Sequence, residues 1–238
     1  MKIYEVLEIL QLDEGVHDKG IFKAIFLSGG PGSGKSFFTE RAIKGNGFRV
    51  INPDKALEAI AKKKKLSLKN LNNPEVAEIQ KHVKKVILNK QQDIAINGRL
   101  PIVIDRTGTN INLVSDLNTK LKSLGYETSM VFIDTDKEVA NKRNQDRPRT
   151  VEKVIMDKSH DQVRKNQYTF KKMFGSRYFS VNNTPPFDAA KKKEFDKMWV
   201  NIMKWKNAPV TNPKSLEWVK CQKDKCRRKK GERPEPSS

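Results

Sequence analysis

The chain of 238 residues carries 48 lysines and arginines against 28 aspartates and glutamates, a net charge of +20, with 36% hydrophobic and 32% charged residues. That is enough chain for one sizeable α/β domain with appendages; the make-up is that of a globular protein, and no apolar run approaches the length of a membrane span. The only cysteines, Cys221 and Cys226, lack companion metal ligands and read as reduced thiols.

Met1, Lys2, Ile3, Tyr4 and Glu5 lack the basic region and apolar core of a secretory leader, so a cytoplasmic location is expected. Ile3, Val6, Leu7 and Leu10 recur at helical spacing, predicting a helix within residues 1–21 that docks on the core. Ile25, Phe26 and Leu27 then read as a buried strand, followed by Ser28–Gly29–Gly30–Pro31–Gly32–Ser33–Gly34–Lys35–Ser36. The spacing Gly29-x-x-x-x-Gly34-Lys35-Ser36 is that of a phosphate loop. Glycines let backbone N–H groups approach phosphate oxygens, and the following helix adds its unpaired N–H groups and positive dipole end. Lys35 suits the β- and γ-phosphates and the Ser36 hydroxyl suits Mg²⁺. ATP and Mg²⁺ are therefore the expected cofactors, bound by Gly29, Gly30, Pro31, Gly32, Ser33, Gly34, Lys35 and Ser36.

Phe37 to Ile43 predicts the helix after the loop, closed by Gly45–Asn46–Gly47, and Phe48–Ile51 a second strand. Asn52–Pro53–Asp54 lies just beyond that strand, at the edge where open parallel sheets bind ligands. Lys55 to Lys65 reads as a helix carrying the run Lys62–Lys65, a solvated face or a nucleic-acid contact. A helix starting at Asn73–Pro74 is expected to run to Gly98, with Val76, Ile79, Val83, Val86 and Ile87 as its stripe. Pro101–Asp105 is the third strand, and Arg106 to Asn110 the loop after it. Leu113, Leu117, Leu121 and Leu124 mark the next helix, Thr128–Ile133 the fourth strand, and Asp136–Gln145 a short helix. Thr150 is placed to cap a long helix toward Gly175, with Val154, Val163, Tyr168, Phe170 and Phe174 available for packing. Tyr178–Val181 is the fifth strand. Past residue 186, Phe195, Met198, Trp199, Ile202, Met203 and Trp205 predict an extra helix whose aromatics pack on the core in preference to stacking on bases. The division expected is 1–21, a P-loop domain at 22–183, a basic helical extension at 187–230 and a disordered tail at 231–238. The alternation of strands and helices predicts a three-layer α/β/α fold with a mostly parallel five-stranded sheet.

Transfer of a phosphoryl group to a hydroxyl needs a base for the acceptor and positive charge on the migrating group. Asp54 is the candidate base, although an aspartate there also suits a helix cap. Asp105 ends an apolar strand where a magnesium-side carboxylate would sit, or it braces the loop that follows. Arg143, Arg147 and Arg149 crowd a segment that could close as a lid over the triphosphate. His17, His82 and His160 form no catalytic arrangement and are read as surface or helix residues.

Taken together, the phosphate loop, Asn52–Pro53–Asp54, Val103–Ile104–Asp105–Arg106–Thr107–Gly108 and the arginine-bearing segment resemble the zeta-toxin and polynucleotide-kinase-like P-loop kinases over residues 22–182. Asp105–Arg106–Thr107–Gly108 and Leu124–Gly125–Tyr126–Glu127–Thr128 are similar to the zeta-toxin branch. The resemblance implies Asp54 as the base that takes the acceptor proton, with Lys35, Arg143 and Arg149 on the transferring phosphate and Arg147 on the nucleotide. It implies Asn52, Asp105 and Thr107 on the acceptor side, with Ser36 and Asp105 at the metal. Zeta toxins act on a UDP-linked amino sugar; polynucleotide-kinase-like members act on DNA or RNA hydroxyls, and related phage kinases on hydroxymethyl-uracil in DNA. The positive charge and the basic extension depart from a typical zeta toxin and favour a nucleic-acid acceptor. The alternatives are a UDP-N-acetylglucosamine kinase, with or without an antitoxin-like partner, and an ATP-binding module with little turnover.

Overall fold

The computed structural model describes residues 20–40, 45–52, 60, 63, 74–82, 88–146 and 151–229. Five strands form one sheet: β1 Lys23–Ser28, β2 Arg49–Ile51, β3 Ile102–Asp105, β4 Glu127–Asp134 and β5 Tyr178–Asn182, in the order β2-β3-β1-β4-β5. Every pairing is parallel. Such strands are covered on both faces and so read as continuous apolar runs, and all six residues of β1 are buried.

Alternation along the strands divides the interior into two cores. Ala24, Phe26, Ile102, Ile104 and Met130 face one side, where they meet Val114, Leu117 and Leu121 of α4 (Ile111–Ser123) and Phe170 and Phe174 of α6 (Lys153–Phe174). Ile25, Leu27, Val103, Val131 and Ile133 face the other, where they meet Phe38 of α1 (Lys35–Phe38) and Met198 and Ile202 of α7 (Ala189–Asn207). The remaining helices are α2 Pro74–His82, α3 Leu88–Asn97, α5 Lys137–Gln145 and α8 Pro213–Lys229. The expected three-layer P-loop architecture with a helical C-terminal region is the one observed.

The two C-terminal helices bury apolar side chains against this body. Phe195 and Trp199 of α7 pack edge-on to Phe38, with ring centroids 6.0 Å away in both cases, and Trp218 of α8 packs on Phe22 at 5.4 Å. A second anchor lies at the N-terminal edge of the sheet. There the buried Lys23 ammonium meets Glu127 Oε2 at 2.9 Å, and the Trp205 indole N–H donates to the same oxygen at 3.0 Å. The expected aromatic packing of this region is thus present.

Some details differ from the sequence reading. Leu113, Val154 and Tyr168 are exposed; the buried stripe of α6 is Met156, His160, Val163, Asn166, Phe170 and Phe174, and the Lys172 ammonium covers the Tyr168 ring at 4.6 Å. Expectations for residues 1–19, 41–44, 53–59, 61–62, 64–73, 83–87, 147–150 and 230–238, including the first helix, the end of the helix expected over Phe37–Ile43, most of the lysine run, the Thr150 cap and the tail, lie outside the described residues.

Candidate functional site

Because all five strands run the same way, their C-terminal ends share one edge of the sheet, and β1 sits at the switch point between β3 and β4. Ligands bind at such points in open α/β sheets. Strand register sets Asp105 beside Leu27 and Phe132 beside Ser28, so Asp105, the phosphate loop and the end of β4 are neighbours.

The loop from Gly29 to Lys35 is moored on every side. The Gly29 N–H donates to the Thr107 carbonyl at 3.0 Å, and the Ser28 hydroxyl donates to the same oxygen at 3.0 Å. The Ser33 carbonyl accepts from the Thr135 hydroxyl at 2.9 Å and from the Asn183 side-chain amide at 2.7 Å. Pro31 offers its carbonyl to His160 Nε2 at 2.8 Å. With the Pro31 and Ser33 carbonyls engaged by neighbours, the loop can turn N–H groups toward an anion. Gly34, at φ 99°, caps α1 in the left-handed region, and a Cβ there would overlap the Asn183 amide. The Lys35 ammonium folds back on the Gly29 and Gly30 carbonyls at 2.6 and 3.0 Å.

On the β2–β3 side, the Asn52 amide donates to Asp105 Oδ2 at 2.5 Å. This joins two residues expected on the acceptor side, and Asp105 is buried. The Thr107 hydroxyl lies 3.3 Å from that of Thr109. Asp54, Arg147 and Arg149 lie outside the described residues, so the expected base and two of the three lid arginines have no geometry here.

Arg143 is described. It sits in the last turn of α5, where Nη2 donates to the Asn183 carbonyl at 3.0 Å. Its Nη1 is buried and has no hydrogen-bond partner among the described residues, and burial lowers the guanidinium pKa. This cation flanks a cavity of about 490 Å³, walled by Phe37, Phe187, Phe195 and Val181 and floored by Gly34 and Asn183. Lys191, Lys192 and Asp196 also line it, and a lining rich in phenylalanine with a few polar groups suits a planar heterocycle. Sequence reasoning missed Asn183 and the cavity, both of which depend on the turn after β5.

His160 corrects the sequence reading most clearly. It is a helix residue, but it is 3% exposed and reaches the phosphate loop rather than the surface. Burial holds its pKa below the ordinary 6.5, outweighing the Pro31 hydrogen bond; Arg164 and Lys35 add to the lowering and Asp134 opposes it. Two turns on, the Asn166 amide donates to the Gly108 and Thr109 carbonyls, each at 2.9 Å. Between them Arg164 donates to Asp134 at 3.1 Å and to the Thr135 carbonyl at 3.2 Å. The available signal was their phase: both polar residues recur in step with Met156, Val163 and Phe170.

No group of three or more His, Cys, Asp or Glu side chains gathers among the described residues. A magnesium site needs no such group, because the ion keeps several waters and takes one or two protein oxygens. The Ser36 hydroxyl and the Asp105 carboxylate are hard oxygen donors of that kind, so the residues present fit the ion.

A family model described as an AAA domain matches residues 25–173. No curated protein gives a match. Among solved structures, the fold is similar to one from the PezAT chromosomal toxin–antitoxin system of Streptococcus pneumoniae, at 14% identity over 85% of this chain and 91% of that one, with a TM-score of 0.56. It is similar to the native AvrRxo1-ORF1:-ORF2 complex at 12% identity, over 92% and 83% of the chains, with a TM-score of 0.57. It is also similar to that complex with ATP, at 15% identity over 67% and 54%, with a TM-score of 0.54. At such identities the likeness is one of fold.

Proposed function

The chain belongs to the AAA domain family, and from that premise we propose that it is an ATP-dependent kinase that moves the γ-phosphate to a hydroxyl group. The observation that carries the reading is the buried Nη1 of Arg143, which has no hydrogen-bond partner among the described residues. It lies between a fully moored phosphate loop and an aromatic-walled cavity of heterocycle size. The triphosphate lies in the loop, with the adenine in the cavity between Phe37 and Phe187. Lys35 leaves its carbonyl contacts for the β- and γ-phosphates, and Arg143 completes the charge around them. A complex whose fold is similar, AvrRxo1-ORF1:-ORF2, is known in a form with ATP, which supports this reading.

In the transfer, the Asp54 carboxylate accepts the proton of the acceptor hydroxyl as its oxygen forms a bond to the γ-phosphorus. The bond from that phosphorus to the bridging β–γ oxygen breaks, and ADP departs with the electron pair. Lys35, Arg143 and Arg149 hold the charge of the migrating group in place, while Arg147 grips the nucleotide. Ser36 and Asp105 would hold Mg²⁺, which supplies charge neutralisation across the β- and γ-phosphates when bound. Asn52, through Asp105, and Thr107 border the acceptor.

For the acceptor, the net charge of +20 supports nucleic acid, since a polymer of phosphates rewards a broad field of cations and a small sugar nucleotide does not. A UDP-amino sugar is the second reading, favoured by the resemblance of Asp105–Arg106–Thr107–Gly108 to the zeta-toxin branch; the fold is similar to one from a toxin–antitoxin system. That likeness also supports a protein partner of antitoxin type. Incubation with γ-labelled ATP and Mg²⁺, offering DNA ends, modified-base DNA, RNA and UDP-sugars, separates these readings. Label on nucleic acid supports the first reading and label on the sugar alone overturns it. ATP binding with no transfer to any acceptor, unchanged by Asp54→Ala, leaves a nucleotide-binding module.

A further inference from the structure

We propose that His160 is a positioning residue for ATP: from α6 it holds the Pro31 carbonyl outward and so fixes the phosphate loop in its anion-accepting form. The role rests on the ATP-binding reading above and extends it to a side chain that lies outside the loop.

The phosphate-loop pattern demands Gly29, Gly34, Lys35 and Ser36 but leaves the four residues between the glycines open. Two of those four are Gly30 and Gly32, and each has a local cause. A Cβ on Gly32 would overlap the Ala140 carbonyl of α5. One on Gly30 would overlap the His160 ring at Nε2, Cδ2 and Cε1. Gly30 is therefore shaped to a histidine, beyond anything a phosphate asks of it.

A carbonyl oxygen can only accept, so the contact at 2.8 Å fixes a proton on Nε2. The Pro31 peptide is thereby turned with its oxygen toward α6. The N–H of the next residue, Gly32, belongs to that same planar peptide and faces the other way. Holding the carbonyl outward thus aims a donor inward, where a phosphate lies. Neutral imidazole does this without adding charge beside Lys35. The same helix holds the Gly108 and Thr109 carbonyls through Asn166. It also backs Thr135, whose hydroxyl holds the Ser33 carbonyl, through Arg164. One helix face thus carries the nucleotide loop and the loop after β3 together.

The test compares His160→Gln, His160→Asn and His160→Phe in the full chain. Glutamine places an amide N–H near the position of Nε2; asparagine is too short to reach Pro31, and phenylalanine keeps the ring without a donor. ATP affinity is read by titrating a fluorescent ATP analogue with Mg²⁺, alongside the melting temperature without nucleotide. His160→Gln should bind within about twofold of the parent, while His160→Asn and His160→Phe weaken binding about five- to tenfold, the loss expected for one oriented hydrogen bond. Glutamine and asparagine variants that melt together yet bind differently establish the role; if they bind alike, whether tightly or weakly, histidine is only filling space and the proposal is overturned. Should His160→Phe not fold, the Gln–Asn comparison still decides. A parent that binds no ATP defeats the nucleotide reading and this role with it; a parent that binds, with Gln and Asn alike, defeats this role alone.

Discussion

Two neighbouring contacts set what single residues should do. Gly30→Ala places a methyl group in the His160 ring, so it should weaken ATP binding at least as much as His160→Asn, and combining the two should cost less than the sum of their separate losses, as binding titrations of a double-mutant cycle can show. Burial keeps His160 neutral with its pKa depressed, so the unfolded chain takes up this proton first as pH falls. Stability should therefore be complete above the ordinary 6.5 and decline below it, and His160→Gln should flatten that part of a urea-midpoint-against-pH curve. Arg143 brings a half-buried cation to the cavity edge, already tethered to the Asn183 carbonyl. Arg143→Ala should weaken ATP about tenfold or more, the scale of a lost charge-assisted contact, by the same titration.

At the scale of elements, the central strands were legible because parallel strands covered on both faces leave unbroken apolar runs: Ile25–Leu27 and Val103–Ile104 could hardly be read otherwise. The edge strands β2 and β5 are half exposed and were read from shorter apolar stretches. The phosphate loop was legible for a different reason, since its spacing is set by the ligand. The α6 helix was harder. A search for apolar residues finds Val154 and Tyr168, which are exposed, and passes over His160 and Asn166, which are buried, because their burial depends on carbonyls from loops more than 50 residues away in sequence. The pairing of Asn52 with Asp105 was hidden likewise until β2 and β3 were set side by side. At the opposite edge of the sheet, Glu127 joins β1, β4 and α7. Burial alone would raise its pKa, but the Lys23 hydrogen bond and charge, with Arg177 and Trp205, hold it below the ordinary 4.5. Glu127→Gln strands the buried Lys23 charge and should cost about 3 kcal/mol in urea unfolding at neutral pH. In the parent this contribution is present above 4.5 and is lost as pH falls through the depressed value.

For the whole molecule, the positive field is the property that reaches farthest. If the acceptor is a nucleic acid, binding measured between 50 and 200 mM salt should fall by orders of magnitude, whereas a sugar nucleotide held by a few groups should respond weakly. A different consequence follows from the aromatic seam between α7 and α1. Phe195 and Trp199 rest on Phe38, in the first turns after Lys35. A stop codon placed near residue 186 would therefore not yield a trimmed folded fragment. It would lay open Phe38, Ile25 and Leu27 along a sticky flank beneath Lys35, and the shortened product should collect in inclusion bodies.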